Sequence, residues 1–315
     1  MTVLDESIAM ENQETRFNIS AVERETGLSK DVLRIWERRY GFPRPDRDEN
    51  AERQYTAEEL ARLRTIKRLM DTGMRPGKLI RHTLEELNTL AEKRIRPRRE
   101  TPAPAVESDM LALVKGHDAA ALHAALAGLL LRQGVPRFVV ETVAPLNRAV
   151  GEAWTRGELQ VFEEHLYSEQ LQLALRGAIN AIPRGNAPPR VLLTTVPGEQ
   201  HGIGLLMAEA LLASEGACCI SLGPQTPFDD IRRATLAHKA QVVAVSFSTA
   251  FPLRQIGDAV GTLRRALAPA VALWVGGEVT RRLRKTPSGV RLLPEIGEVL
   301  AALQGWRSDA GSSAR

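Results

Sequence analysis

The sequence predicts a multidomain protein: an all-α winged helix-turn-helix, then a four-helix bundle, then an α/β doubly wound parallel sheet of flavodoxin-like strand order. Three observations carry this prediction. Residues 16–95 hold short helical stretches divided by glycine and polar caps, with no internal strand run. Residues 108–184 keep helical periodicity throughout. After Pro189, apolar β-rich runs alternate with helical segments. Two proline-bearing stretches, RPRRETPAPAVE (96–107) and PRGNAPP (183–189), separate the parts. Proline blocks helix continuation, and neither stretch has a face to bury. Residues 1–15 and 307–315 read as disordered tails, and the sheet domain as 189–306.

In the first part, Ser20 with Glu23 three residues on reads as the capping box of a first helix, which Gly27 ends. Ser29 caps a second helix, KDVLRIWERRYG, and Val22, Leu28, Val32, Leu33 and Trp36 supply a core. Two short helices around a glycine turn make a helix-turn-helix whose second helix enters a major groove. Lys30, Arg34, Arg38 and Arg39 stay on or near its exposed side. The segment FPRPDRDENAERQYT has the composition of a wing, and Thr56 with Glu59 caps the next helix.

Charge agrees with this placement. The whole chain carries 42 Lys and Arg against 38 Asp and Glu, but residues 16–99 alone hold 21 against 14. The basic surplus therefore belongs to the first part and points to a polyanion there. Cys218 and Cys219 are adjacent in an apolar run, which predicts buried thiols and excludes a disulfide framework or a cysteine zinc site. No apolar run reaches the roughly 18 residues a membrane span needs. The acidic N-terminus lacks a secretory pattern, which predicts a cytoplasmic protein.

In the second part, DAAALHAALAGLLLRQG ends at Gly134, Pro136 restarts a helix, and QVFEEHLYSEQLQLALRGAINAI is the last long one. In the third, VLLTTV, CCISL, VVAVSF, VALWVGG and GVRLL read as five strands. The turn after the first, PGEQHGIG, fits neither a dinucleotide fingerprint nor a Walker loop, since its glycines fall at 198, 202 and 204 and no lysine follows. The remaining functional reading is a metal ligand: His201 offers one ring nitrogen while Glu199 holds the other. A single protein ligand suffices only for a metal that arrives in its own cage, as cobalt does in a corrin. The competing reading is a solvated loop histidine. Similarly, Trp154 reads as bundle core and Glu164 and His165 as a solvated helix start. His82, His117, His123 and His238 read as surface or satisfied residues.

Three resemblances sharpen these readings. Residues 17–85, with IWERRYGFPRP and a following R-x-Y, resemble the MerR-type winged-helix DNA-binding domain. The resemblance implies that Arg34, Arg38, Arg39 and Tyr40 lie on or beside the recognition helix and that Arg44, Arg47 and Arg53 belong to the wing. The metal-binding cysteines of metal-sensing MerR proteins are missing. The stretch VLLTTVPGEQHGIG, with VVAVSFSTAF and LWVGGE, resembles the cobalamin-binding domain of methionine synthase and corrinoid mutases. That family carries Asp where Glu199 stands. The resemblance implies His201 as lower axial ligand of cobalt, Gly202 and Gly204 admitting the corrin and its tail, Ser246, Ser248 or Thr249 bonding the displaced base or tail, and Gly276 and Gly277 letting the tail pass. Finally, MerR domain, helical cap and cobalamin domain in this order, with Trp-x9-Glu-His matched by Trp154, Glu164 and His165, resemble the CarH/LitR-type photoreceptors.

That family likeness implies an adenosylcobalamin-dependent, light-responsive repressor of promoter DNA, a homo-oligomer (dimer or tetramer) and not an enzyme. Trp154 would pack on the adenosyl group, with Glu164 and His165 bonded to it or near it. Thr155 stands where a histidine would capture the vacated cobalt position, leaving His165 as the cap's candidate. The alternatives are a regulator of the same build that senses cobalamin level, another chromophore or a protein antirepressor, and a corrinoid methyl carrier.

Overall fold

The computed structural model describes residues 16–71, 73–94, 105–183, 185–283 and 286–313. The expected tail 1–15 and most of the expected linker 96–107 lie outside the described residues. The chain divides into two compact units, the first made of residues 1–97 with Thr155–Gly157 and the second of the remainder.

The N-terminal unit opens with β1 (Arg16–Asn18), α1 (Ile19–Thr26) and α2 (Lys30–Tyr40). Next come β2 (Asp46–Arg47), β3 (Arg53–Thr56), α3 (Ala57–Asp71), α4 (Pro76–Leu79) and α5 (Leu84–Arg94). The first cap differs from expectation. Asn18, not Ser20, accepts the Ala21 N–H at 2.8 Å, and Glu23 accepts the Lys30 N–H at 3.1 Å. A strand ends at Asn18, so helical backbone can begin two residues earlier than Ser20 would allow. Gly27 and Gly41 end α1 and α2 in the left-handed region, at φ 69° and 67°. Ser29 caps α2, and Thr56 and Glu59 bond each other's backbone N–H at 3.1 Å.

The all-α reading of this unit is corrected by a three-stranded antiparallel sheet of order β1-β3-β2, with Phe17 opposite Tyr55 and Arg47 opposite Arg53. Strands of two to four residues are too short to display alternation. Val22, Leu33, Trp36, Tyr55 and Leu63 anchor the core, with Val32 half-buried against it.

The second unit begins with α6 (Ala105–Lys115), so the helix starts inside the stretch read as linker. Then come α7 (Ala119–Arg137), a π-helical turn at Phe138–Val143, α8 (Ala144–Arg156) and α9 (Val161–Ala181). Gly134, at φ 73°, breaks α7 ahead of Pro136. The sheet follows as β4 (Ala187–Thr194), α10 (Ile203–Ser214), β5 (Ala217–Gly223), α11 (Phe228–Ala237), β6 (Val242–Ser246), α12 (Leu253–Ala266), β7 (Ala272–Gly276), β8 (Val290–Leu293) and α13 (Glu298–Ser313). All five strands are parallel in the order β5-β4-β6-β7-β8. This is the flavodoxin-like arrangement, and its order reverses between β4 and β6.

The stretch 307–313, expected as a tail, is the last part of α13. Arg307 explains the extension: its guanidinium donates to Pro188 O at 2.9 Å and Glu215 O at 3.0 Å. The bundle and the sheet are not separately cored. One apolar cluster runs from Leu122, Val143 and Leu171 through Leu206 and Leu211 to Val242 and Trp274. Asn147 adds a polar link, accepting from Tyr167 Oη at 2.5 Å and donating to Met207 Sδ at 3.4 Å.

Candidate functional site

The loop after β4 and the loop after β6 meet at the switch point of the sheet, where ligands of open α/β folds bind. Glu199 is the pivot between them. Its side chain is 1% exposed, and its Oε1 lies 2.7 Å from His201 Nδ1 and accepts the His201 N–H at 2.9 Å. Its Oε2 accepts the Ser248 N–H at 2.8 Å and the Ser248 hydroxyl at 2.9 Å. Burial alone would push this carboxyl up; the His201 ring and N–H and the Ser248 N–H together hold it below the ordinary value. His201 itself has a side chain 59% exposed. A buried carboxylate thus grips Nδ1 of an exposed imidazole, so coordination from this ring falls to Nε2.

Among the described residues, no group of three or more His, Cys, Asp and Glu side chains can hold a metal ion. One exposed imidazole with its Nδ1 held by a buried carboxylate fits a metal that brings its own equatorial ligands. The glycines divide in an informative way. A Cβ on Gly202 would meet nothing within 4 Å, so open space lies beside the loop. Gly204 and Gly277 are both crowded, but by different neighbours. A Cβ on Gly204 would stand 2.7 Å from Ser246 Oγ, and one on Gly277, at φ 113°, would stand 2.0 Å from Phe247 O. Gly276 has room for ordinary contacts. Ser248 is turned to Glu199, whereas Thr249 is exposed.

In the bundle, Trp154 is half-buried against the shared apolar cluster. Glu164 accepts the Ser168 hydroxyl at 2.6 Å, and the neighbouring His165 side chain is 70% exposed. His117, read as a surface or satisfied residue, has a partner: its Nε2 lies 3.0 Å from Oε1 of buried Glu163, which also accepts the Gln160 N–H at 2.6 Å and so completes the cap of α9. Cys219 is half-buried, and burial with nearby Glu209 pushes its thiol up to about 12.

In the N-terminal unit, α2 presents Arg34, Ile35, Arg38 and Arg39 on one exposed face. Sequence reasoning passed over Ile35, which is 45% exposed. Its signal was an apolar residue off the core periodicity, suited to contact with a thymine methyl. Tyr40 lies under the Arg39 guanidinium at 5.3 Å. Several of the expected cations have partners within the unit. Lys30 pairs with Glu23, Arg34 with Asp31, and Arg53 Nε donates to Glu37 at 2.7 Å, which ties the wing to α2. Arg44 bonds Gly41 O and Arg47 bonds Ala51 O, each at 2.8 Å.

Comparison with known proteins agrees with this division. Residues 17–87 match the MerR HTH family of regulatory proteins, and two B12 binding domain models match residues 106–176 and 189–290. The HTH-type transcriptional repressor CarH of Myxococcus xanthus is 32% identical over 276 residues, covering 85% of this chain and 91% of that protein. The chain belongs to the CarH family of MerR-type regulators with B12-binding domains. A second relative in this family, the repressor CarA of the same organism, is 31% identical over 82% of this chain and 85% of its own length. The monomethylamine corrinoid protein of Methanosarcina barkeri superposes with a TM-score of 0.52 at 13% identity, over 64% of this chain and 98% of that one. That likeness concerns the fold of the C-terminal B12-binding part alone. Among the described residues no helix is long and apolar enough to cross a membrane.

Proposed function

We propose that this protein is a cytoplasmic transcriptional repressor that binds promoter DNA with adenosylcobalamin in place and releases it on illumination. The observation that carries the proposal is the Glu199–His201 pair at the switch point of the parallel sheet, in a chain that also bears a MerR-type head. His201 Nε2 would hold cobalt from below, and the cofactor supplies a light-labile cobalt–carbon bond. Trp154 would pack against the adenosyl group, with Glu164 and His165 beside it, so that bundle and sheet close on the cofactor. Oligomers of the closed form would present several heads to one promoter, and linked heads gain avidity without new contacts. Without an adenosyl group Trp154 would lack its packing partner in the closed state, so the ligand would bias a two-state equilibrium.

The experiment is to load the protein with adenosylcobalamin in darkness, record absorbance, assembly size and promoter binding, and then illuminate. Light-induced loss of assembly and DNA affinity supports the proposal. Unchanged size and affinity leave the second reading, a regulator of the same build that senses cobalamin level or another signal. Thr155 favours that reading, because threonine cannot take the vacated cobalt position as a histidine would. Turnover with a methyl donor would instead mark a corrinoid methyl carrier.

A further inference from the structure

We infer that Thr195 is a positioning residue for the His201 loop, an inference that rests on His201 as the cobalt ligand. Thr195 lies just past the end of β4 and is fully buried. Its hydroxyl donates to Glu199 O at 2.5 Å and accepts the Gln225 N–H at 2.8 Å. Its backbone also joins the two loops: Thr195 O accepts the Thr226 N–H at 3.0 Å, and Thr195 N–H donates to Gly223 O at 3.4 Å. One side chain therefore ties the loop that carries His201 to the loop after β5.

The hydroxyl acts on Glu199 through its carbonyl, while Ser248 holds the same residue through its carboxylate. Two independent tethers, from β4 and from the loop after β6, thus fix the group that aims the imidazole. The second loop adds to the hold. Gln225 sits at φ 61°, a left-handed conformation that glutamine rarely adopts, and its N–H is spent on Thr195. Removing the hydroxyl leaves a buried carbonyl and a strained N–H without their partner, so the loop relaxes and the imidazole loses its fixed direction.

The test uses the full-length chain loaded with adenosylcobalamin in darkness. Visible absorbance reports the fraction of nitrogen-ligated cobalt, and dilution reports cofactor release. Thr195→Val keeps shape and loses the hydroxyl. It is expected to release cofactor about tenfold faster and to shift its spectrum toward unligated cobalt. Thr195→Ser keeps the hydroxyl and is expected to behave as the parent protein. A Thr195→Val spectrum and release rate equal to the parent's overturn the inference. Where Thr195→Val does not fold, as judged by melting of the cofactor-free protein, Thr195→Ala against Thr195→Ser isolates the hydroxyl by the same readouts, and equal behaviour of that pair overturns the inference. His201→Ala separates the two levels: a parent-like spectrum there overturns the ligation reading itself, whereas a changed one beside an unaffected Thr195→Val overturns only the role of Thr195.

Discussion

Glu199 and His201 share a 2.7 Å contact across the boundary between interior and solvent, one side chain 1% exposed and the other 59%. The carboxylate is fixed by the fold, and the imidazole takes its direction from the carboxylate. Glu199→Gln keeps an acceptor but loses the charge that makes the imidazole a stronger donor to a metal. Cobalamin affinity is expected to fall about 10- to 100-fold, and His201→Ala to shift the spectrum of bound cofactor as well. Equilibrium dialysis with absorbance checks both; parent-like affinity in Glu199→Gln would count against the orienting role.

Gly204 and Gly277 are both crowded, yet their alanine variants should differ. Gly277 is at φ 113° and its Cβ would meet backbone. Gly277→Ala is therefore expected to cost about 2–5 kcal/mol. At Gly204 the obstacle is the Ser246 hydroxyl, which rotates away, so Gly204→Ala should cost about 1 kcal/mol or less. Chemical denaturation of the cofactor-free protein distinguishes them, and equal costs would refute the contrast.

Arg53 was expected to belong to the wing, and its guanidinium donates to Glu37 on α2. A double-mutant cycle of Arg53→Ala and Glu37→Ala should show a coupling of about 1 kcal/mol in stability. Arg38→Ala, on the exposed face of α2, should instead weaken promoter binding and lower its salt slope by about one ion. Additive stabilities in the cycle would refute the tie between wing and α2.

Asp48 organises the turn of the wing. Its carboxylate accepts from the Gln54 side chain and from the N–H groups of Glu52 and Asn50, and these bonds hold its carboxyl below the ordinary value of 3.8. A depressed folded value means that the stabilisation is complete above 3.8 and is lost as pH falls through the depressed value. Amide exchange at Asn50 and Glu52 should therefore gain protection relative to Asp48→Asn above pH 4.5 and lose that advantage in stronger acid. Protection that ignores Asp48→Asn at neutral pH would contradict this.

The sequence made the sensor half legible because its periods are long. Four helices and five apolar strand runs each repeat their pattern over several turns or residues. Glu199 and His201 were legible together because a single residue separates them. Ser248 lies 49 positions from Glu199 and His117 lies 46 from Glu163; no local pattern signals such partners. The wing strands were hidden by their brevity. The end of α13 was hidden by its polar composition, since what holds Arg307 is a pair of carbonyls more than 90 positions away. At Gly277 the neighbouring Phe247 carbonyl lies 30 positions away, so the crowding a side chain would meet there has no local signal either.

The apolar cluster that passes without a seam from α7 and α9 into α10 and the sheet bears on how such domains can be recombined. A graft that exchanged the helices alone would strip Leu206 and Leu211 of the neighbours they bury against. New ligand specificities should therefore come by transplanting both layers as a single block, or by changes at the rim, while chimaeras spliced at residues 183–189 should aggregate.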